Sequence, residues 1–144
     1  MTARLLLVLL ALTACARWWE PSTQGPPPDD SEPLVRLAER RAQAGAYAEA
    51  ARLFEDVLHR PGSAFTDRAL LGLTRVLVNP DYSGRDYRQA FVAADRLVRE
   101  YPGSPYAGEV RAWRELLSAY LARTQELERL KRLDLELEQR QRKP

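Results

Sequence analysis

The segment that decides the fold is "YAEAARLFEDVLHRPGS", residues 47–63, because a related segment, "YRQAFVAADRLVREYPGS", occupies residues 87–104. When Tyr47 is aligned with Tyr87, small or apolar residues match at positions that share one face of an α-helix. Both segments end in Pro-Gly-Ser, which stops a helix. The two segments therefore predict amphipathic helices at equivalent places in a repeat. The aligned pairs are Ala50 with Ala90, Phe54 with Ala94, Val57 with Leu97 and Leu58 with Val98.

Each of these predicted helices follows another helical segment. The first begins near Pro33 and is separated from the repeat helix by Gly45, and the second is "TDRALLGLTRVLV", residues 66–78. Gly72 provides the small residue that lets two helices cross closely. The turn-forming stretch "NPDYSGR", residues 79–85, predicts a surface loop inside the second unit. With no alternating strand pattern from Leu34 onward, the chain is expected to be all-α, with two helical hairpins over residues 34–104.

This layout resembles the tetratricopeptide repeat (TPR), a helix–turn–helix unit of about 34 residues. The resemblance implies that the first helix of each unit lines an inner surface that binds a partner protein. By register, Leu73, Leu77 and Trp113 lie near that surface, together with Val76 and Leu116. The alternative is that these residues form the core beneath the last helix.

The stretch "REYPGSPYA", residues 99–107, is similar to a phrase that recurs between repeats in periplasmic TPR lipoproteins of the BamD-like and Tol-Pal coordinator-like groups. Tyr101 is expected to fill the end of a hairpin and Pro102 to stop its second helix. Ser104 is expected to cap the next helix, with Pro105 in the first position.

From residue 105 to about residue 139 no helix breaker interrupts the chain, which predicts one long C-terminal helix within residues 105–144. Its first half carries Val110, Trp113, Leu117 and Tyr120 on one stripe, suited to cap the repeats. Its second half is dense in charge and carries Leu127, Leu130, Leu133 and Leu137. Either this half projects and its leucines bind a partner, as in a coiled coil, or it is a solvated, fraying tail. The second half of this helix is also similar to the charged tails of QseG-like lipoproteins, which accompany sensor kinases.

The single cysteine, Cys15, ends the stretch "LTAC" behind one basic residue, Arg4, and eight apolar residues. This pattern resembles the lipobox of bacterial lipoproteins and implies a signal peptide at residues 1–14 and a covalent lipid on Cys15. An ordinary secretory signal or an uncleaved anchor is the alternative, although the apolar run is too short to span a bilayer. In the resembled proteins an aspartate directly after the lipidated cysteine retains the protein at the inner membrane. This chain has Ala16 at that position, which favours the periplasmic face of the outer membrane.

Residues 15–33 contain five prolines and predict a semi-rigid linker between the lipid and the helices. Within it, Trp18 and Trp19 either lie against the bilayer surface or pack on the folded domain. The net charge of the whole chain is +2, which argues against nucleic acid as the main partner.

Residues suited to catalysis are sparse in this sequence. His59 is the single histidine, and its place at a predicted helix end favours interaction with terminal carbonyl groups. The sequence contains one thiol, that of Cys15, and it shows no metal-ligand set and no glycine-rich phosphate loop. The chain is therefore expected to be non-enzymatic, with no cofactor, no metal and no small-molecule substrate.

The sequence as a whole predicts a lipid-anchored TPR-like scaffold that binds an envelope protein at the outer membrane, in envelope assembly or coordination. The alternatives are an accessory lipoprotein that regulates a membrane sensor kinase, and a structural spacer of an envelope complex.

Overall fold

The computed structural model describes residues 29–142, and this part of the chain forms five helices and no strand. The helices are α1 (Ser31–Gln43), α2 (Tyr47–Leu58), α3 (Thr66–Leu77), α4 (Tyr87–Glu100) and α5 (Ala107–Gln141). The predicted all-α class and the long last helix are confirmed. The predictions for residues 1–28, which include Cys15, Trp18 and Trp19, lie outside the described residues.

Neighbouring helices in the chain pack against each other in antiparallel pairs. Arg60, after the end of α2, pairs with Asp30 at the start of α1, and Arg41 pairs with Glu49 across the other end of the hairpin. Helices α3 and α4 form the second hairpin, and α1 also contacts α3. The chain is thus two stacked hairpins followed by α5, which packs on α4.

The repeat alignment agrees with the burial of the side chains. Helices α2 and α4 begin at the two aligned tyrosines, and Ala50 and Ala90 are both fully buried. Phe54 and Ala94 are buried at the next aligned position, and Val57 and Leu97 at the one after that. The helix-period pattern therefore identified the core-facing side of both helices correctly.

The two hairpins meet where Gly72 of α3 lies over the ring of Phe54 of α2. A β-carbon at position 72 would overlap the Phe54 ring, whose side chain is only 1% exposed and has little room to move. Glycine in the middle of a helix costs about 1 kcal/mol relative to alanine, so close packing must offset that cost. The predicted role of Gly72 at a helix crossing is confirmed.

The first helix begins earlier than the predicted end of the linker, at Ser31 instead of residue 34. The cause is a set of contacts from the preceding aspartates to the loop between α2 and α3. One carboxylate oxygen of Asp29 accepts a hydrogen bond from the Ser31 N–H (3.0 Å), and the other accepts one from the Ala64 N–H (2.9 Å). Hydrogen bonding from Ser31, and then from Ala64, lowers the pKa of the Asp29 carboxyl. Residues 29–33 therefore belong to the folded domain.

The last helix begins later than predicted, at Ala107, and Tyr106 occupies its cap position. The Ser104 hydroxyl group does accept a hydrogen bond from the Tyr106 N–H (3.2 Å), but it also donates to Asp67 at the start of α3 (2.6 Å). Ser104 is thus held in a turn that ties α5 to α3, and Pro105 lies before the helix. The loop predicted at residues 79–85 is present, and Asp86 after it caps α4 by accepting from the Arg88 and Gln89 N–H groups.

We predict that Gly72→Ala destabilises the protein by about 1–2 kcal/mol, because overpacking against Phe54 exceeds the gain in helix propensity. Urea unfolding followed by circular dichroism measures this change. Gly108→Ala is the matched control, since Gly108 is also in a helix and its added β-carbon would meet nothing within 4 Å. Equal stability of the two variants would contradict the proposed tight crossing.

Candidate functional site

Two surfaces of the described structure are candidates for binding, and the first is a groove between α1 and α3. It has a volume of about 450 Å³, and the Phe54 ring and Gly72 form part of its lining. Both walls carry polar side chains. The lining residues are Glu39, Ala42, Gln43, Tyr47, Phe54, Arg68, Leu71, Gly72, Arg75, Val76 and Asn79.

Charged groups in this groove are paired across helices. Arg68 of α3 donates two hydrogen bonds of 2.7 Å to the carboxylate of Glu39 on α1. Hydrogen bonding to Glu39 raises the pKa of the Arg68 guanidinium, so this group stays charged. Arg75, further along α3, makes a similar bidentate pair with Glu109 of α5. The first pair joins α1 to α3, and the second joins α3 to α5. Together they balance the charge of the groove.

The predicted inner-surface residues are only partly where the sequence placed them. Leu73 and Leu77 are 6% and 4% exposed and belong to the hydrophobic core. Because a helix turn takes 3.6 residues, they lie on nearly the opposite side of α3 from Arg68 and Arg75, which face the groove. This burial supports the alternative for Leu73 and Leu77, that they form the core and do not bind a partner. Trp113 is half-buried on α5, and Leu116 is 61% exposed.

The second candidate surface is the projecting half of α5. Helix α4 runs antiparallel to the first half of α5, with Asp95 near Arg114 and the Tyr87 ring 4.7 Å from the Tyr120 ring. Val110 and Leu117 are buried in this contact. Beyond Leu121 every described residue is exposed, so α5 extends about 30 Å past the folded body.

Leucines are frequent on this projecting half, although it contacts no other helix. Leu127, Leu130 and Leu137, the predicted partner-binding residues, are 58%, 48% and 54% exposed. Leu133 and Leu135 are also exposed. Clustered apolar side chains on a protein surface indicate an interaction site more often than scattered ones do. The structure shows that the folded body leaves these leucines exposed, and their binding of a partner stays a prediction.

Three further features of residues 29–142 bear on metal, carbonyl and membrane contacts. Among residues 29–142, no three His, Cys, Asp or Glu side chains are grouped closely enough to hold a metal ion. Nδ1 of His59 lies 2.8 Å from the carbonyl oxygen of Glu55, one turn back, which confirms its predicted role at a helix end. None of the helices in the described part of the chain combines the length and apolar character needed to span a membrane.

We predict a coupling of about 0.5–1 kcal/mol between Glu39 and Arg68 in a double-mutant cycle of alanine variants, measured by urea unfolding at low salt. The reason is bidentate geometry with both side chains about two-thirds buried. The Glu128–Lys131 pair, whose side chains are 59% and 69% exposed, is the control and is expected to couple near zero. Equal coupling in the two pairs would contradict a structural role for the groove pair.

No protein-family model, no curated protein and no solved structure matches this chain. The similarity to TPR lipoproteins of the envelope therefore stays a prediction from the sequence motifs.

Proposed function

We propose that this protein is a lipid-anchored, non-enzymatic TPR-like scaffold that binds protein at the periplasmic face of the outer membrane. The observation that carries the proposal is the division of α5. Its first half is built into the core, whereas its second half extends into solvent with five leucines that are 45–58% exposed. A helix that is packed at one end and carries exposed leucines along its free half is suited to dock against another helix or groove.

The arrangement of the body supports the same function. Stacked helical hairpins present extended surfaces rather than enclosed pockets, and the groove between α1 and α3 is open and charge-balanced. The chain has one cysteine, Cys15, at the position where the lipobox-like motif places a lipid. Two or more acyl chains hold a protein stably at a bilayer, so a lipid on Cys15 would fix the scaffold at the membrane.

We expect photo-crosslinkers placed at Leu127, Leu130 and Leu137 in cells to capture an envelope protein, which mass spectrometry identifies. A crosslinker at Arg88, exposed on α4, is the matched control and is expected to capture less. Recovery of a kinase would favour the regulatory alternative, and recovery of an assembly component would favour envelope assembly. Failure of all three positions to capture any protein would contradict the proposed docking role of α5.

A second expectation concerns the membrane anchor. Metabolic labelling with palmitate is expected to mark the protein, and Cys15→Ser is expected to abolish the label because the chain contains no other thiol. The membrane fraction of the variant is expected to fall in parallel. A label that survives Cys15→Ser would refute the anchor while leaving the docking role of α5 open to the crosslinking test.

A further inference from the structure

The charges on the projecting half of α5 indicate what covers its leucines. Residues spaced alternately by four and three form one narrow seam along the helix, as in a coiled coil. Its apolar members are 48–61% exposed. The polar members Arg123 and Asp134 are exposed as well. In chain order the seam consists of Leu116, Tyr120, Arg123, Leu127, Leu130, Asp134, Leu137 and Gln141.

Every residue of the seam is exposed, although the Tyr120 ring, which is 49% exposed, also contacts the Tyr87 ring of α4. Leu117, which packs toward α4, lies about 100° around the helix from Leu116 and about 60° from Tyr120. Leu116 is therefore 61% exposed although its neighbour Leu117 is buried. From Leu116 to Gln141 the seam is about 38 Å long.

The order of residues along the seam is self-complementary about its centre, which lies between Leu127 and Leu130. Arg123 and Asp134 lie at equal distances on either side of that centre and have opposite charges. A second helix of the same sequence, running antiparallel, places each Leu127 against the other Leu130 and each Arg123 against the other Asp134. In the next layer Tyr120 meets Leu137. Such a symmetric interface uses the same surface on both copies.

A parallel pair in the same register lacks this complementarity. It places Arg123 against its own counterpart and Asp134 against its own counterpart, so like charges face each other in two layers of the seam. Like charges brought together in an interface oppose association, and no gain in leucine contacts compensates, because both orientations bury the same leucines.

Flanking positions also suit the antiparallel pair. Glu126 lies beside Leu133 of the second copy, and Thr124 beside its Lys131, so no like charges meet there. Within residues 29–142 the salt bridges include neither Arg123 nor Asp134, and a second copy would provide the partner for each.

We propose that the seam of α5 binds a second copy of this chain as an antiparallel two-helix coiled coil.

This inference rests on the proposed function, because it names the protein that covers the leucines of α5. The test uses the full chain with Cys15→Ser in a mild detergent, and its mass is measured by sedimentation velocity over a range of concentrations. We expect a dimer. Leu130→Lys is expected to raise the dimer dissociation constant by at least about tenfold, since two leucine contacts are lost. Leu135→Lys is the matched control, because Leu135 is 57% exposed against 48% for Leu130 but lies outside the seam, and the dimer is expected to persist.

Reversing the two charges tests the proposed contacts between Arg123 of one copy and Asp134 of the other. Arg123→Asp and Asp134→Arg are each expected to weaken the dimer by roughly tenfold, and the double variant is expected to restore it because the pair is only reversed. A double variant as weak as the single variants would overturn the proposed contact between Arg123 and Asp134.

Orientation is measured by the distance between spin labels at Gln139→Cys in the two copies. The antiparallel pair places these labels about 30 Å apart along the helix axis. A parallel pair holds them at the same height, separated by a helix spacing of about 10 Å and the label arms, and this result would overturn the proposal. A monomer at all concentrations would also overturn it. If a monomeric protein still captures a different envelope protein in cells, the inference fails and the proposed function stands.

Discussion

The packing of the Phe54 ring against the bare backbone of Gly72 is the contact on which the rest of the structure depends. It lets α2 and α3 approach closely enough for the two hairpins to share one core, in which Val57, Leu70 and Leu97 are almost completely buried. Two hairpins bury little surface each, so the stack is stable only if the hairpins meet without a gap. The ion pairs of α3 with α1 and α5 then hold the first helices in register.

Helix α5 extends from this packed body into solvent. Its first two turns are tied to the body by the Arg75–Glu109 pair and by the turn around Ser104, which hydrogen-bonds to Asp67. Its 35 residues form one continuous helix, which runs from this anchored part into the projecting half. The exposed leucines therefore lie on the same helix that the body holds at its first turns, and this arrangement suits a docking element.

The groove and the projecting helix have different physical character, and this assigns them different roles. In the groove, the cationic side chains of Arg68 and Arg75 already have carboxylate partners, so a ligand there would have to compete with bidentate pairs. The projecting helix has apolar side chains that no other part of residues 29–142 covers, and a symmetric pair of opposite charges. Burial of its leucines is the larger favourable term available to a partner, because apolar burial drives most association.

The amino-acid sequence by itself determined the helical class, the repeat of Tyr47 at Tyr87, the crossing at Gly72 and the length of the last helix, because these depend on local periodicity and on glycine and proline positions. Tertiary structure alone decided which leucines are accessible. Leu73 and Leu77 have the same apolar character as Leu130, yet they are buried, since α3 has helices on several sides and the end of α5 has none. It also decided that Asp29 and Ser104 belong to contacts between elements, because such hydrogen bonds join residues about 35 positions apart and leave no local pattern.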